Sequence, residues 1–160
     1  MINYRPLQKR DIAQIQALAL EAWLFTNKKI YSTTSIKKWT SDYYSKENFK
    51  KTFTAIKNKK GFFIVAEEAK KIIGYAEVGK VKEWELFRIY ISPHLIGKGL
   101  GARLLEHIEQ FLKKKNAKSY IAYPHIKNRL AKRFYLKKGF KRNHKKDSSA
   151  TSICYEKQLN

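Results

Sequence analysis

Residues 85–105 read E-L-F-R-I-Y-I-S-P-H-L-I-G-K-G-L-G-A-R-L-L. Their reading decides the fold. The first part is apolar, aromatic and β-branched, so a strand is predicted over WELFRIYI (84–91). Ser92-Pro93 ends it, and Gly97, Gly99 and Gly101 follow within one short loop. Beyond them Leu104, Leu105, Ile108, Phe111 and Leu112 share one helical face, and the lysines at 113–115 suit a helix C-terminus. Strand, glycine loop and helix in succession make an anion site on physical grounds. The first amides of a helix lack intrahelical partners and lie at the positive end of its dipole. Glycines let phosphate oxygens approach those amides without a Cβ in the way. A glycine-rich turn that merely opens a helix for packing is the alternative. Two better-known loops do not match. Gly97-Lys98 is followed by Gly99 rather than Ser or Thr, and Gly97-Lys98-Gly99 is followed by Leu100-Gly101-Ala102 rather than by two residues and a glycine.

Outward from this stretch, INYRP (2–6) reads as a short strand. Asp11 stands where a cap is expected, ahead of a helix in which Ile12, Ile15, Leu18 or Ala19, Ala22 and Trp23 recur at helical spacing. The polar stretch after Asn27 leaves room for a short helix around Ile36–Tyr44, and Lys46–Lys57 is a further helix. FFIVAEE (62–68), IIGYAEVGKV (72–81) and the strand at 84–91 form an antiparallel meander. Downstream, SYIAYP (119–124) is a strand, Asn128–Lys138 a helix stopped by Gly139, and Phe140–Asn143 and about Ser149–Leu159 the last strands. The predicted fold is α+β: a mixed sheet of about 6–7 strands, led by the meander, with helices on both faces. No repeat or Pro-rich linker interrupts it, so residues 1–160 are read as one domain.

Composition narrows the function classes. A chain that is 43% hydrophobic and 14% aromatic has material for a core and is not a disordered basic tail. No apolar run is long enough for a membrane span, and MINYRPLQKRD lacks a signal-peptide core. With a single cysteine, Cys154, a reducing cytoplasm is the natural compartment. The net charge is +22, from 35 basic and 13 acidic residues. A polyanionic partner such as nucleic acid would account for it. However, the basic residues are 28 Lys against 7 Arg and spread along the chain, which favours solvated lysine faces. Five of the thirteen acids (Glu67, Glu68, Glu77, Glu83, Glu85) fall within nineteen residues, a segment that could form a local patch of opposite sign. His94, His107, His125 and His144 show no metal-ligand spacing, and no metal is expected.

The loop and its flanks resemble the GCN5-related N-acetyltransferase (GNAT) family. That family's motif, [RQ]-x-x-G-x-[GA], opens the helix after the fourth strand, and here the register is Ile96-Gly97-Lys98-Gly99-Leu100-Gly101. E-L-F-R-I-Y-I-S-P (85–93) resembles the preceding strand. Asn128, Ala131, Phe134, Tyr135, Gly139 and Phe140 match the N-x-x-A-x-x-F-Y-x-x-x-G-F segment behind it. The beginning and the CYEKQL ending are also similar, so the resemblance covers most of the chain. One departure is Ile96, which stands where the family usually has Arg or Gln and cannot bond phosphate through its side chain.

The resemblance implies an acyltransferase that moves an acetyl group from acetyl-CoA directly to an amine. The implied pyrophosphate site is the backbone of residues 97–102 (Gly97, Lys98, Gly99, Leu100, Gly101, Ala102), with Lys98 adding charge. The pantetheine arm would pair along Ile89, Tyr90 and Ile91 like an added strand. Asn128 would help hold that arm, and Tyr135 would protonate the leaving thiolate. As the base, Glu85 is the candidate. Strand alternation would place it on one face with Phe87, Ile89 and Ile91, where apolar neighbours raise a carboxyl pKa. A Glu85 paired with Arg88 or a lysine is the competing reading. The acceptor is expected to be a primary amine of a small molecule or peptide, and the protein a monomer or homodimer. A basic module that binds nucleic acid or the ribosome on a GNAT-like fold is the alternative function.

Overall fold

The computed structural model describes residues 1–160. In chain order the elements are β1 (Asn3–Pro6), α1 (Ile12–Asn27), α2 (Thr33–Tyr43), α3 (Lys46–Lys57), β2 (Gly61–Glu68), β3 (Lys71–Lys80), β4 (Trp84–Ile91), α4 (Leu100–Lys114), β5 (Ser119–Ala122), α5 (Arg129–Lys137), β6 (Lys141–Arg142) and β7 (Tyr155–Gln158). One seven-stranded sheet carries them in the order β1-β2-β3-β4-β5-β7-β6, antiparallel except between β4 and β5. The predicted meander is β2-β3-β4. The polar stretch after Asn27 forms a full helix, α2, whose N-cap Ser32 accepts from the Ser35 amide.

Asp11 differs from its expected part. It lies in a 3-10 turn (Lys9–Asp11) and makes no cap bond to α1. Its carboxylate instead takes two bonds from Arg5 (2.8 and 2.9 Å) and one from the Gln8 amide (2.8 Å). These partners hold its pKa below the usual carboxylate value, against the opposing effect of burial. The last predicted strand is shorter than its apolar pattern suggests. Ser149–Ser152 forms turns with one isolated bridge, Ser152 to His125, and only Tyr155–Gln158 joins the sheet.

The sheet separates two cores. On one face α4 buries Leu104, Leu105, Ile108 and Leu112 with Ala76, Val78 and Leu86, joined by Tyr120, Tyr135 and Phe140. On the other, Ile15, Leu18 and Ala19 of α1 and Phe49 of α3 cover Phe63, Val65 and Tyr75. Each fully buried aliphatic side chain of α4 contributes about 1.5–3 kcal/mol, so packing rather than propensity holds that helix on the sheet.

Two departures from regular pairing position the site. Glu77 pairs with Arg88 and Val78 with Leu86, so Phe87 is an extra residue in β4, a β-bulge. Farther along, β4 and β5 share a single register pair, Glu85 with Ile121. Beyond it β4 has no partner on that edge, and the sheet opens into a cleft.

Candidate active site

The bulge redistributes the side chains of β4. Ile89 and Ile91 pack toward the α4 core, whereas Tyr90 packs toward the α1–α3 core and Arg88 binds Glu77. Glu85 sits opposite Gly79, and the Phe87 ring lies over the same glycine. Glu85 therefore keeps its face with Phe87 but not with Ile89 and Ile91. The strict alternation expected from the sequence is broken by the one added residue.

The backbone of β4 is also sorted. The Ser92 amide donates to the Ile73 carbonyl on β3. Successive residues of a strand turn their N–H and C=O to opposite edges, so those of Ile89 and Ile91 face the β5 side, where no strand pairs with them. Tyr90 turns its main chain toward β3.

The glycine loop follows. Gly97 and Gly99 both have φ of +85°, a region open to glycine and strained for other residues, and Gly99 is the N-cap of α4. The Lys98 amide donates to Leu95, and the first helical bond runs from Arg103 to Gly99. The amides of Gly97, Gly99, Leu100, Gly101 and Ala102 have no acceptor within the chain. Five free donors at the positive end of a 15-residue helix suit a pyrophosphate on physical grounds. Gly101 also lets the Phe134 ring come close: a Cβ there would stand 3.2 Å from it.

Loop, β4 edge and α5 converge on one cleft of about 940 Å³. Of the residues expected at a site, Glu85, Ile89, Tyr90, Ile91, Asn128 and Tyr135 line it, as do Gly97, Gly99, Gly101 and Ala102. Lys98 and Leu100 do not. Lys98 is exposed on the loop, and the Leu100 side chain is buried in the core, leaving only its amide to act.

The polar groups of the cleft are in distinct states. The Asn128 carboxamide oxygen caps α5 by accepting from the Ala131 amide at 3.0 Å, which leaves its NH₂ as a donor. Tyr135 is 7% exposed and packs on Phe140 and Tyr155. Burial pushes its phenol well above the ordinary tyrosine value, so it holds its proton. Its hydroxyl makes no hydrogen bond within the chain, unlike that of Tyr120, which donates to Glu109 at 2.6 Å. Glu85 is half-buried and its pKa is raised by desolvation. It has no ion-pair partner, because Arg88 pairs with Glu77 at 2.5 Å instead.

The acidic patch does not form. Glu67 pairs with Arg5, Glu77 with Arg88 and Glu83 with Lys146, while Glu68 is exposed at the far end of β2. Several lining residues were not expected at a site from the sequence, among them Trp23, Tyr43, Arg88 and Tyr123. Trp23 reads there as one more apolar position of α1, and only packing against β4 turns it toward the cleft.

Comparison with known proteins agrees with this geometry. The family model described as the acetyltransferase (GNAT) family matches residues 12–140. A spermidine N(1)-acetyltransferase of Thermoplasma acidophilum is 30% identical over 159 residues, covering 98% of this chain and 97% of that one. The crystal structure of PaiA N-acetyltransferase from Thermoplasma acidophilum, in complex with coenzyme A, superposes with a TM-score of 0.91 at 29% identity over 99% of both chains. A GNAT acetyltransferase of Staphylococcus aureus shares the fold, with a TM-score of 0.80 at 15% identity over 100% of both chains.

Proposed function

The chain belongs to the acetyltransferase (GNAT) family, and on that premise we propose that it transfers an acetyl group from acetyl-CoA to a primary amine of a small molecule or peptide, both substrates being bound together. The observation that carries this reading is the single cleft that runs from five unpartnered loop amides, along an unpaired strand edge, to Glu85 and Tyr135. The name of the Thermoplasma relative, a spermidine acetyltransferase, supports an amine acceptor.

Acetyl-CoA supplies the acetyl group as a thioester, whose carbon accepts the amine nitrogen as its C–S bond breaks. The amides of Gly97 and Gly99–Ala102 hold the pyrophosphate, without help from Ile96. The main chains of Ile89 and Ile91 take the pantetheine arm as an added strand, and the free NH₂ of Asn128 is an additional donor to it. An alkyl amine is protonated at neutral pH, with a pKa near ~10, and must lose a proton before it attacks. Glu85 takes that proton through water. Desolvation suits it to the task, since a carboxyl with a raised pKa is the stronger base. Tyr135, kept protonated by burial, gives its hydroxyl proton to the thiolate sulfur and regains one as the new amide nitrogen sheds its second proton.

Acetyl-CoA or CoA should stabilise the folded protein by about 2.7 kcal/mol at one hundred times its dissociation constant. A thermal melt at modest salt reads this directly. A well-folded sample with no shift contradicts the cofactor assignment.

Glu85→Gln is expected to lower kcat/KM about 10- to 100-fold, the loss being limited because the base acts through water. The wild-type rate should rise as pH increases through the Glu85 pKa, and the variant should lose that limb. Stability should move the opposite way. A folded pKa above the unfolded value gives stability that is present below the unfolded pKa and is lost as pH rises through the folded one. Glu85→Gln therefore raises Tm at pH 7 relative to wild type, with a smaller gain at pH 4. An unchanged pH–rate profile rules Glu85 out as the base.

A further inference from the structure

The chain has four exposed aromatic side chains, Phe25, Trp39, Tyr43 and Phe87, and all four line the one cleft. Exposed apolar surface gathered in a concave site marks where the apolar surface of a ligand is buried.

Three of these rings stand with Glu85. Glu85 lies opposite Gly79 and the Phe87 ring covers the same glycine, so both are on one face of β4. Glu85 is also the register partner of Ile121 on β5. Tyr123, two residues farther on, therefore turns to that same face, across the opening from Phe87. The other two rings come from α2. Ile36 and Thr40 are its buried positions, while Trp39 and Tyr43, four residues apart, form one ridge along the cleft. Tyr43 lies 5.9 Å from the Arg88 guanidinium on β4. At the other end of the ridge the Tyr31 ring meets Trp39 edge-on at 4.8 Å and His125, before α5, at 5.4 Å. An aromatic wall thus spans from β4 to the β5–α5 connection, on the side of the cleft that holds Glu85.

The charges beside this wall do not suit a second ammonium. The acids that line the cleft are Glu85 and Asp147, and Asp147 is engaged by two bonds of 2.6 Å from Arg142. Glu85 is the one free carboxylate, and the reacting amine takes it. Arg88, Lys137, Lys138 and Lys146 line the same cleft with positive charge. Aromatic faces can hold a cation, but the Tyr43 ring already has the Arg88 guanidinium beside it. An alkyl or aryl group needs no counter-ion and gains by displacing water from the rings.

We infer that the acceptor is a primary monoamine whose body is apolar, an alkyl chain or an aromatic ring, packed against Trp39, Tyr43, Phe87 and Tyr123 while its amine faces Glu85. Polyamines, which carry charge at intervals along the chain, are the poorer acceptors. This inference deepens the proposed function and rests on it.

The test is a set of initial rates with acetyl-CoA, the full chain and matched acceptors: propylamine, pentylamine, heptylamine, 2-phenylethylamine, 1,6-diaminohexane and spermidine. Along the alkyl series kcat/KM should climb about fourfold per added methylene, on the order of 10²-fold from propylamine to heptylamine. Heptylamine and 1,6-diaminohexane match in length and differ in a terminal methyl against a second ammonium. Heptylamine should lead at least about tenfold, despite the two reactive ends of the diamine. Trp39→Ala should lower the heptylamine-to-propylamine ratio about five- to tenfold. Trp39→Glu, which gives the wall a carboxylate, should shift preference toward the diamine by at least about tenfold. Each ratio is internal to one protein, so a general loss of activity does not imitate the effect. Tyr43→Ala carries the same expectation as Trp39→Ala and decides the matter if that variant does not fold. A diamine or spermidine equal to or better than heptylamine overturns the inference, as does a flat alkyl series or a wild-type ratio in the alanine variants. Acetylation of no amine at all overturns the proposed function itself, and the inference with it.

Discussion

Replacing Tyr135 with Phe should lower kcat on the order of 10²- to 10³-fold and leave CoA affinity nearly unchanged. General-acid assistance is worth about 10²- to 10⁴-fold, and the lower part of that range applies because a thiolate is a fair leaving group. The ring itself contributes to packing, on Phe140 and Tyr155 in the core under α4, and Phe preserves that contact. The hydroxyl has no partner within the chain, so its removal breaks no internal hydrogen bond and Tm should hold. Two measurements separate the readings. If turnover falls while the CoA-induced melting shift remains, the hydroxyl acts on the reacting atoms. If turnover is unchanged, Tyr135 is a core aromatic and the proton comes from elsewhere. A parallel fall in Tm would mark the loss as structural.

The largest stability effect is expected at Glu77. Glu77→Ala should cost about 3–5 kcal/mol, because it leaves the Arg88 guanidinium buried without its carboxylate and strands the Thr52 hydroxyl. For a chain of this size that corresponds to a fall in Tm of roughly 10–15 °C. Glu77→Gln keeps both oxygen and nitrogen within reach of Thr52 and Arg88, and should recover part of the loss. Equal Tm values for Glu77→Ala and wild type would mean that the pair is hydrated and contributes little.

The residues expected at a site and those that line the cleft differ in instructive ways. The glycine loop was legible because its chemistry is in the backbone: three glycines ahead of a 3.6-residue apolar period specify a helix start with free amides wherever the sheet lies. That Tyr135 and Asn128 share one cleft was legible through the resemblance, as members of a segment with fixed spacing. The role of Lys98 was read from its charge, and its side chain is exposed on the loop and does not line the cleft. The acidic run at 67–85 was read as a patch from proximity along the chain. The fold instead gave Glu67, Glu77 and Glu83 separate cationic partners, each remote or on a neighbouring strand.

By itself the sequence determined the order of elements, the meander, the α4 and α5 helices and the glycine loop with its free amides, because each depends on periodicity or backbone freedom within a few residues. Only the tertiary structure decided which way β4 presents its side chains. A bulge exists relative to an opposing strand, and the residue it adds at Phe87 moves Ile89 and Ile91 to one core and Arg88 to the other. It also decided that Glu85 stands unpaired in the cleft while Glu77 takes Arg88, since ion pairing depends on which of 35 basic groups the fold brings near. The burial of the Arg88 guanidinium and the Trp23 indole beside Tyr43 arises from that same packing.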